Sequence, residues 1–162
     1  MPPDHMPDDM KSGPSGADLH YRALERLYDS APINDVFASK LEIPAEGRSR
    51  LTFTVDEAVF HAAGAAHGTI YFKMLDDAAF YAANTMATDR FLLTTSFNLH
   101  FTKPVRAGKV IAEGRWVSGK RRVFVAEARL VDSEGDEIGR GTGTFMRSRI
   151  ALSGLPGYSA VG

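Results

Sequence analysis

The sequence predicts an α+β domain: an antiparallel sheet of five or six strands curved around one long central helix. Three observations carry that expectation. HGTIYFKMLDDAAFYAANTMA, residues 67–87, is long, proline-free and apolar nearly all round, the signature of a buried helix rather than one lying on a wet surface. Four strand-like runs follow it: LLTTSFNLHFTKP, GKVIAEGRWVSG, RRVFVAEARLVD and DEIGRGTGTFMRSR. Turn signals at Pro104 to Gly108, Ser118 to Lys120 and Ser133 to Gly135 separate these runs. Short turns join antiparallel strands, so the second half reads as a meander.

The earlier elements follow the same logic. Four of the eight prolines fall within the first 14 residues, beside Gly13, Ser15 and Gly16. Such a segment buries too little apolar surface to offset its ordering entropy, and a disordered tail is expected over residues 1–17. ADLHYRALERLYDSAP then places Leu24, Leu27, Tyr28 and Ala31 on one helical face, with Asp18 as the expected N-cap and Pro32 as the stop. In RSRLTFTVDEAVF, Leu51, Phe53 and Val55 alternate with Thr52, Thr54 and Asp56, the period of a half-exposed strand. VFASKLEIP is its expected partner through a turn at Gly47. One domain is expected over residues 18–150, followed by a loose C-terminal tail over 151–162.

Composition narrows the function. With 162 residues and no cysteine, thiolate nucleophiles, disulfides and Cys-type zinc or iron–sulfur sites are excluded. The formal net charge is −1, and residues 1–17 account for −2 of charge, leaving the body near neutrality; a dedicated nucleic-acid binder carries a strong basic excess. No apolar run reaches the ~18 residues of a membrane span, and the start lacks a secretory signal pattern. A soluble cytoplasmic protein is expected.

Several motifs are absent. There is no G-x-S-x-G, no G-x-G-x-x-G after a strand and no H-E-x-x-H. GRWVSGK at 114–120 resembles a phosphate loop, but Arg121 stands where Ser or Thr would hold magnesium, and the context is strand–turn–strand. His61 and His67 with Asp76 and Asp77 make an incomplete ligand set, so no metal is expected.

The acidic pair lies mid-helix among apolar neighbours. At ~100° per residue, Asp76 and Asp77 project to different faces. Lys73 is four residues before Asp77 and three before Asp76, and it serves only one of them well. A carboxylate on a buried face is costly unless paired or used, so the residues alone leave Asp76 open between catalysis and a structural ion pair. At the helix start, Gly68 offers an unpaired N–H with partial positive charge, a donor suited to a polarised carbonyl oxygen.

HAAGAAHGT-x6-DDAAFYAAN and TTSFNLHFTKPVRAGKV, within a span from about Asn34 to Arg149, together resemble the hotdog-fold thioesterase superfamily, in particular its phenylacetate-pathway (PaaI-like) branch. Gly64, His67 and Gly68 match the branch's first motif; Phe101, Pro104 and Gly108 match its last. The resemblance implies acyl-CoA thioester hydrolysis, with Asp76 as general base or nucleophile, Gly68 N–H polarising the carbonyl and Thr94 positioning water. Two departures stand out. His61 replaces the usual asparagine, and Thr69 replaces the second glycine. The resemblance also implies that His67, Thr69, Lys103, Arg106, Lys120, Arg121 and Arg122 contact the substrate or its coenzyme A portion. Coenzyme A is part of the substrate, and no separate cofactor is expected.

Asp76 lies eight residues beyond Gly68, ~12 Å along one helix, so a single carbonyl cannot touch both. Both serve one thioester only if they come from different subunits, and a homodimer or a tetramer of two dimers is expected. Phe72, Phe80 and Tyr81 are candidates for an acyl pocket and equally for core. Two other readings remain: an enoyl-CoA hydratase or dehydratase on the same fold, with His61 or His67 in the chemistry, and a non-catalytic acyl-CoA binding module.

Overall fold

The computed structural model describes residues 13–159. Helix α1 spans Gly16–Ser30 and α2 Ile33–Val36; strands β1 (Lys40–Glu42) and β2 (Arg48–Val55) precede the central helix α3 (Gly68–Asn84). Strands β3 (Arg90–Phe101), β4 (Gly108–Ser118), β5 (Val123–Val131) and β6 (Glu137–Ala151) follow, and α4 (Pro156–Ser159) ends the described chain. The six strands form one antiparallel sheet in the order β1-β2-β4-β5-β6-β3.

The sheet curves around α3, whose Ile70, Met74, Leu75, Ala78 and Ala82 are almost completely buried. Helix and sheet come closest at Gly114 of β4. A side chain there would strike the Ala78 carbonyl and Ser49 Oγ, and Ser49 Oγ donates to that same carbonyl at 2.5 Å. This tight seat fixes the height of α3, and therefore of Asp76 and Asp77 just before Ala78, relative to the strands.

The structure corrects three local expectations. The N-cap of α1 is Ser15, not Asp18: Ser15 Oγ accepts from the Asp18 amide and the Asp18 side chain accepts from the Ser15 amide, a capping box. The meander is confined to β4, β5 and β6, because β3 pairs with β6 and occupies the far edge. Its connection to β4 is not a hairpin but a strap across the start of α3, held where Ala66 N–H donates to the Val105 carbonyl and the Tyr71 hydroxyl to the Lys103 carbonyl. Pro104 has no N–H to offer a ladder. Residues 151–159, expected to be loose, are instead packed on α1: Leu152 is buried, and the Tyr158 hydroxyl lies 2.8 Å from Nδ1 of buried His20. Residues 1–12 and 160–162 of the two expected tails lie outside the described residues.

Candidate active site

Lys73 settles the division of labour between the two aspartates. Its ammonium forms an ion pair with Asp77 and donates to the Tyr28 hydroxyl at 3.1 Å and to Asn34 Oδ1 at 2.8 Å. Three oxygens therefore consume its three N–H donors. Burial pushes the Asp77 carboxyl pKa upward, and the Lys73 ammonium opposes that shift. Tyr28 and Asn34 are partners that sequence reasoning missed. The available signal was the Tyr28 phenol on the buried face of α1, since a buried Tyr hydroxyl needs a hydrogen bond.

Lys73→Met is expected to destabilise the protein by about 3–5 kcal/mol, the usual cost of stripping the counter-charge from a buried carboxylate. Urea denaturation at neutral pH checks this, and an unchanged midpoint would contradict it.

Asp76 is left without a cation partner among the described residues. Its Oδ1 accepts a 3.0 Å hydrogen bond from Thr94 Oγ1 on β3, at the edge of the bulge between Thr94 and Ser96. Burial raises its pKa from 3.8 to about 6; the Thr94 bond lowers it, the neighbouring Asp77 charge raises it, and Lys73 lowers it. The carboxylate opens on a cleft of about 270 Å³ whose walls include Phe80, Tyr81, Phe91 and Leu93. A partly desolvated carboxylate that ionises near neutrality, in a mainly apolar cleft, is equipped to accept a proton.

Gly68 occupies a second cleft, of about 350 Å³, with His61, Tyr71, Phe101, Lys103 and Pro104 on its walls. The α3 N-cap is His67, whose Nδ1 accepts from the Thr69 amide at 3.1 Å and lies 3.1 Å from Thr69 Oγ1. The Ile70 amide donates to the His67 carbonyl. Gly68 N–H alone in this first stretch has no partner among the described residues. His61 is exposed, its Nδ1 accepting from the Ala63 amide at 3.0 Å.

The residues picked from the sequence thus fall into two half-sites on one helix: Asp76 with Thr94, and Gly68 with His61, His67 and Thr69. The basic candidates divide as well. Lys103 lies in the Gly68 cleft, but its ammonium is engaged by Asp132 at 2.8 Å and Asp136 at 2.9 Å, with Glu134 at 3.5 Å. The Lys103 ammonium, expected to contact the substrate or its coenzyme A portion, is thus paired within the chain. Arg106 is exposed on the strap. Lys120, Arg121 and Arg122 are exposed on the β4–β5 turn, at the opposite end of the sheet from Lys103 by strand register. Lys120 Nζ stands 5.3 Å from the centre of the Trp116 ring.

The sequence profile described as the thioesterase superfamily matches residues 63–138, from the loop before α3 to the start of β6. This stretch is similar to the thioesterase superfamily. A Saccharolobus solfataricus protein, SSO1253, whose name marks it provisionally as an esterase, is 28% identical to this chain over 128 residues, 79% of this chain and 85% of its own length. The transcription factor FapR of Shouchella clausii is 30% identical over 113 residues, 67% of this chain and 56% of its own length. The PaaI protein from the phenylacetic acid degradation operon of E. coli superposes with a TM-score of 0.77 at 17% identity, covering 85% of this chain and 99% of that one. The domain has the hotdog fold of that superfamily. No helix among its described residues is long and apolar enough to cross a membrane.

Proposed function

We propose that the protein hydrolyses acyl-CoA thioesters at sites shared between two subunits, as a PaaI-like member of the superfamily. Asp76 takes a proton from water as it attacks the thioester carbonyl, or attacks that carbon itself. Gly68 N–H of the other subunit receives the developing oxyanion; in the first route the thiolate leaves with the proton held at Asp76, and in the second it leaves a mixed anhydride on Asp76 that water then hydrolyses. Water is consumed, and a carboxylic acid and free CoA are released. No metal or redox step enters this chemistry.

The observation that carries the reading is the pair of separate, individually incomplete half-sites. An ionisable carboxylate and an unpartnered amide sit on one helix, ~12 Å apart along its axis. A two-fold axis that sets two α3 helices antiparallel brings each donor to the other's acid. The surface around them supports such a contact. β3 is a 12-residue edge strand; exposed Phe72 on α3 stands 5.8 Å from the Phe97 ring of β3, and Leu93 and Phe101 are exposed along the same strand. A long apolar edge strand invites pairing with another copy. His61, beside Gly68, offers a further hydrogen bond to the same carbonyl. Lys120, Arg121 and Arg122, with Arg106, are the cations available to the nucleotide phosphates.

A thiol-release assay over acetyl-, hexanoyl-, decanoyl- and phenylacetyl-CoA tests the reading. Hydrolysis is expected, together with a dimer or larger assembly on size exclusion; a strict monomer would overturn the shared site. The FapR match favours a second reading, a non-catalytic module. Tight acyl-CoA binding without thiol release would establish that reading instead.

A further inference from the structure

The Asp76 cleft does not end at Phe91. A further cleft, of about 290 Å³, adjoins it and shares Ala31, Tyr81 and Phe91 as common wall. Its other walls are Leu27 and Pro32 from the α1–α2 corner, Ile150 at the end of β6, and Leu155, Pro156 and Gly157 from the C-terminal segment. No charged side chain among the described residues lines it. Its Ser30 hydroxyl is turned away into a 2.7 Å hydrogen bond with the Leu27 carbonyl. Most of these walls lie outside residues 63–138, the stretch matched by the superfamily profile.

We infer that this adjoining cleft receives the distal part of the substrate's acyl group, and that it selects apolar acyl chains of medium length or aryl groups of similar bulk. The inference rests on the acyl-CoA reading of Asp76. With the reacting carbonyl at Asp76, the only groups of an acyl thioester that favour an uncharged, hydrocarbon-walled extension are those beyond the carbonyl. Burying each methylene there contributes ~0.8 kcal/mol. At ~30 Å³ for a water-sized group, 290 Å³ accommodates on the order of eight to ten heavy atoms. The walls are held in place by packing of the C-terminal segment against α1. A side chain at Gly157 would strike Ser30, and Tyr158 is anchored on His20.

The test uses the full chain and two thioethers that cannot be hydrolysed, S-ethyl-CoA and S-octyl-CoA, with binding read by calorimetry beside thiol release from acetyl-CoA and octanoyl-CoA. The wild type is expected to bind the octyl compound at least tenfold more tightly than the ethyl one. Ala31→Trp, which places an indole at the junction of the two clefts, is expected to abolish that preference. Ile150→Trp blocks the far end from a half-exposed strand position, and it decides the matter should Ala31→Trp fold poorly. Equal affinity for both thioethers in the wild type, or an undiminished octyl preference in both folded variants, would overturn the assignment. So would a change of oligomeric state in Ile150→Trp without any change in chain-length preference, which would make the cleft a seat for a second copy. A length-dependent binding pattern without any thiol release upholds the cleft and removes hydrolysis; Asp76-dependent hydrolysis without length dependence does the reverse.

Discussion

Asp76→Asn is expected to lower kcat by on the order of 10³-fold and, at neutral pH, to make the protein more stable. Both effects come from the same burial. The carboxylate accepts a proton only when ionised, and its pKa stands at about 6. The wild-type kcat/KM should therefore be flat above pH 7 and fall about tenfold per unit below 6. For stability, the folded state holds the Asp76 proton more tightly than the unfolded chain, whose value is near 3.8. Ionisation then works against folding: the wild type keeps its full stability below pH 3.8 and loses it as the pH rises through 6. The loss approaches about 3 kcal/mol by linkage. An amide at position 76 still accepts the Thr94 hydrogen bond and carries no charge to desolvate, so the midpoint of thermal unfolding at pH 7.5 should rise by a few °C. Wild-type turnover in Asp76→Asn would remove the proposed chemistry, and a fall in melting temperature at pH 7.5 would show that the ionised carboxylate is structurally paired after all.

How much of this was legible before any coordinates is a matter of range along the chain. The central helix, β2 and the β4–β6 meander were readable because each rests on periodicity and local turns. The position of β3 was not. It hydrogen-bonds to β6, some 40–60 residues away by register, and no local pattern distinguishes a hairpin from the strap that Ala66 and Tyr71 hold over α3. The C-terminal segment was misread for a related reason. LSGLPGYS looks like a tail by composition, and only Leu152, Tyr158 and the tight Gly157 contact reveal that α1 binds it. At the site, the i,i+4 spacing of Lys73 and Asp77 assigned that pair and left Asp76 single. The sequence did not reveal that Lys73 would be saturated by Tyr28 and Asn34, nor that Lys103 would be captured by the Asp132–Asp136 turn, because both depend on loops meeting in space.

Two inactive variants should restore activity to each other. Gly68→Pro removes the proposed oxyanion donor at little cost to the helix. Position 68 is the first residue of α3, where proline is favoured, and His67 before it is already extended at ψ 148, as a residue preceding proline prefers. The added Cβ falls 3.2 Å from the Phe101 ring, an exposed side chain with room to shift. Loss of one such donor costs on the order of 10²–10³ in kcat. When Gly68→Pro and Asp76→Asn chains are co-expressed and assort freely into symmetric dimers, half the dimers are mixed. Each mixed dimer contains one site with an intact amide from one chain and an intact carboxylate from the other. About one quarter of wild-type activity should therefore return, far above either parent. A site built within one subunit predicts no recovery at any mixing ratio, because every chain would carry a broken copy. Restored turnover on mixing two separately inactive chains has no explanation except a thioester held between them.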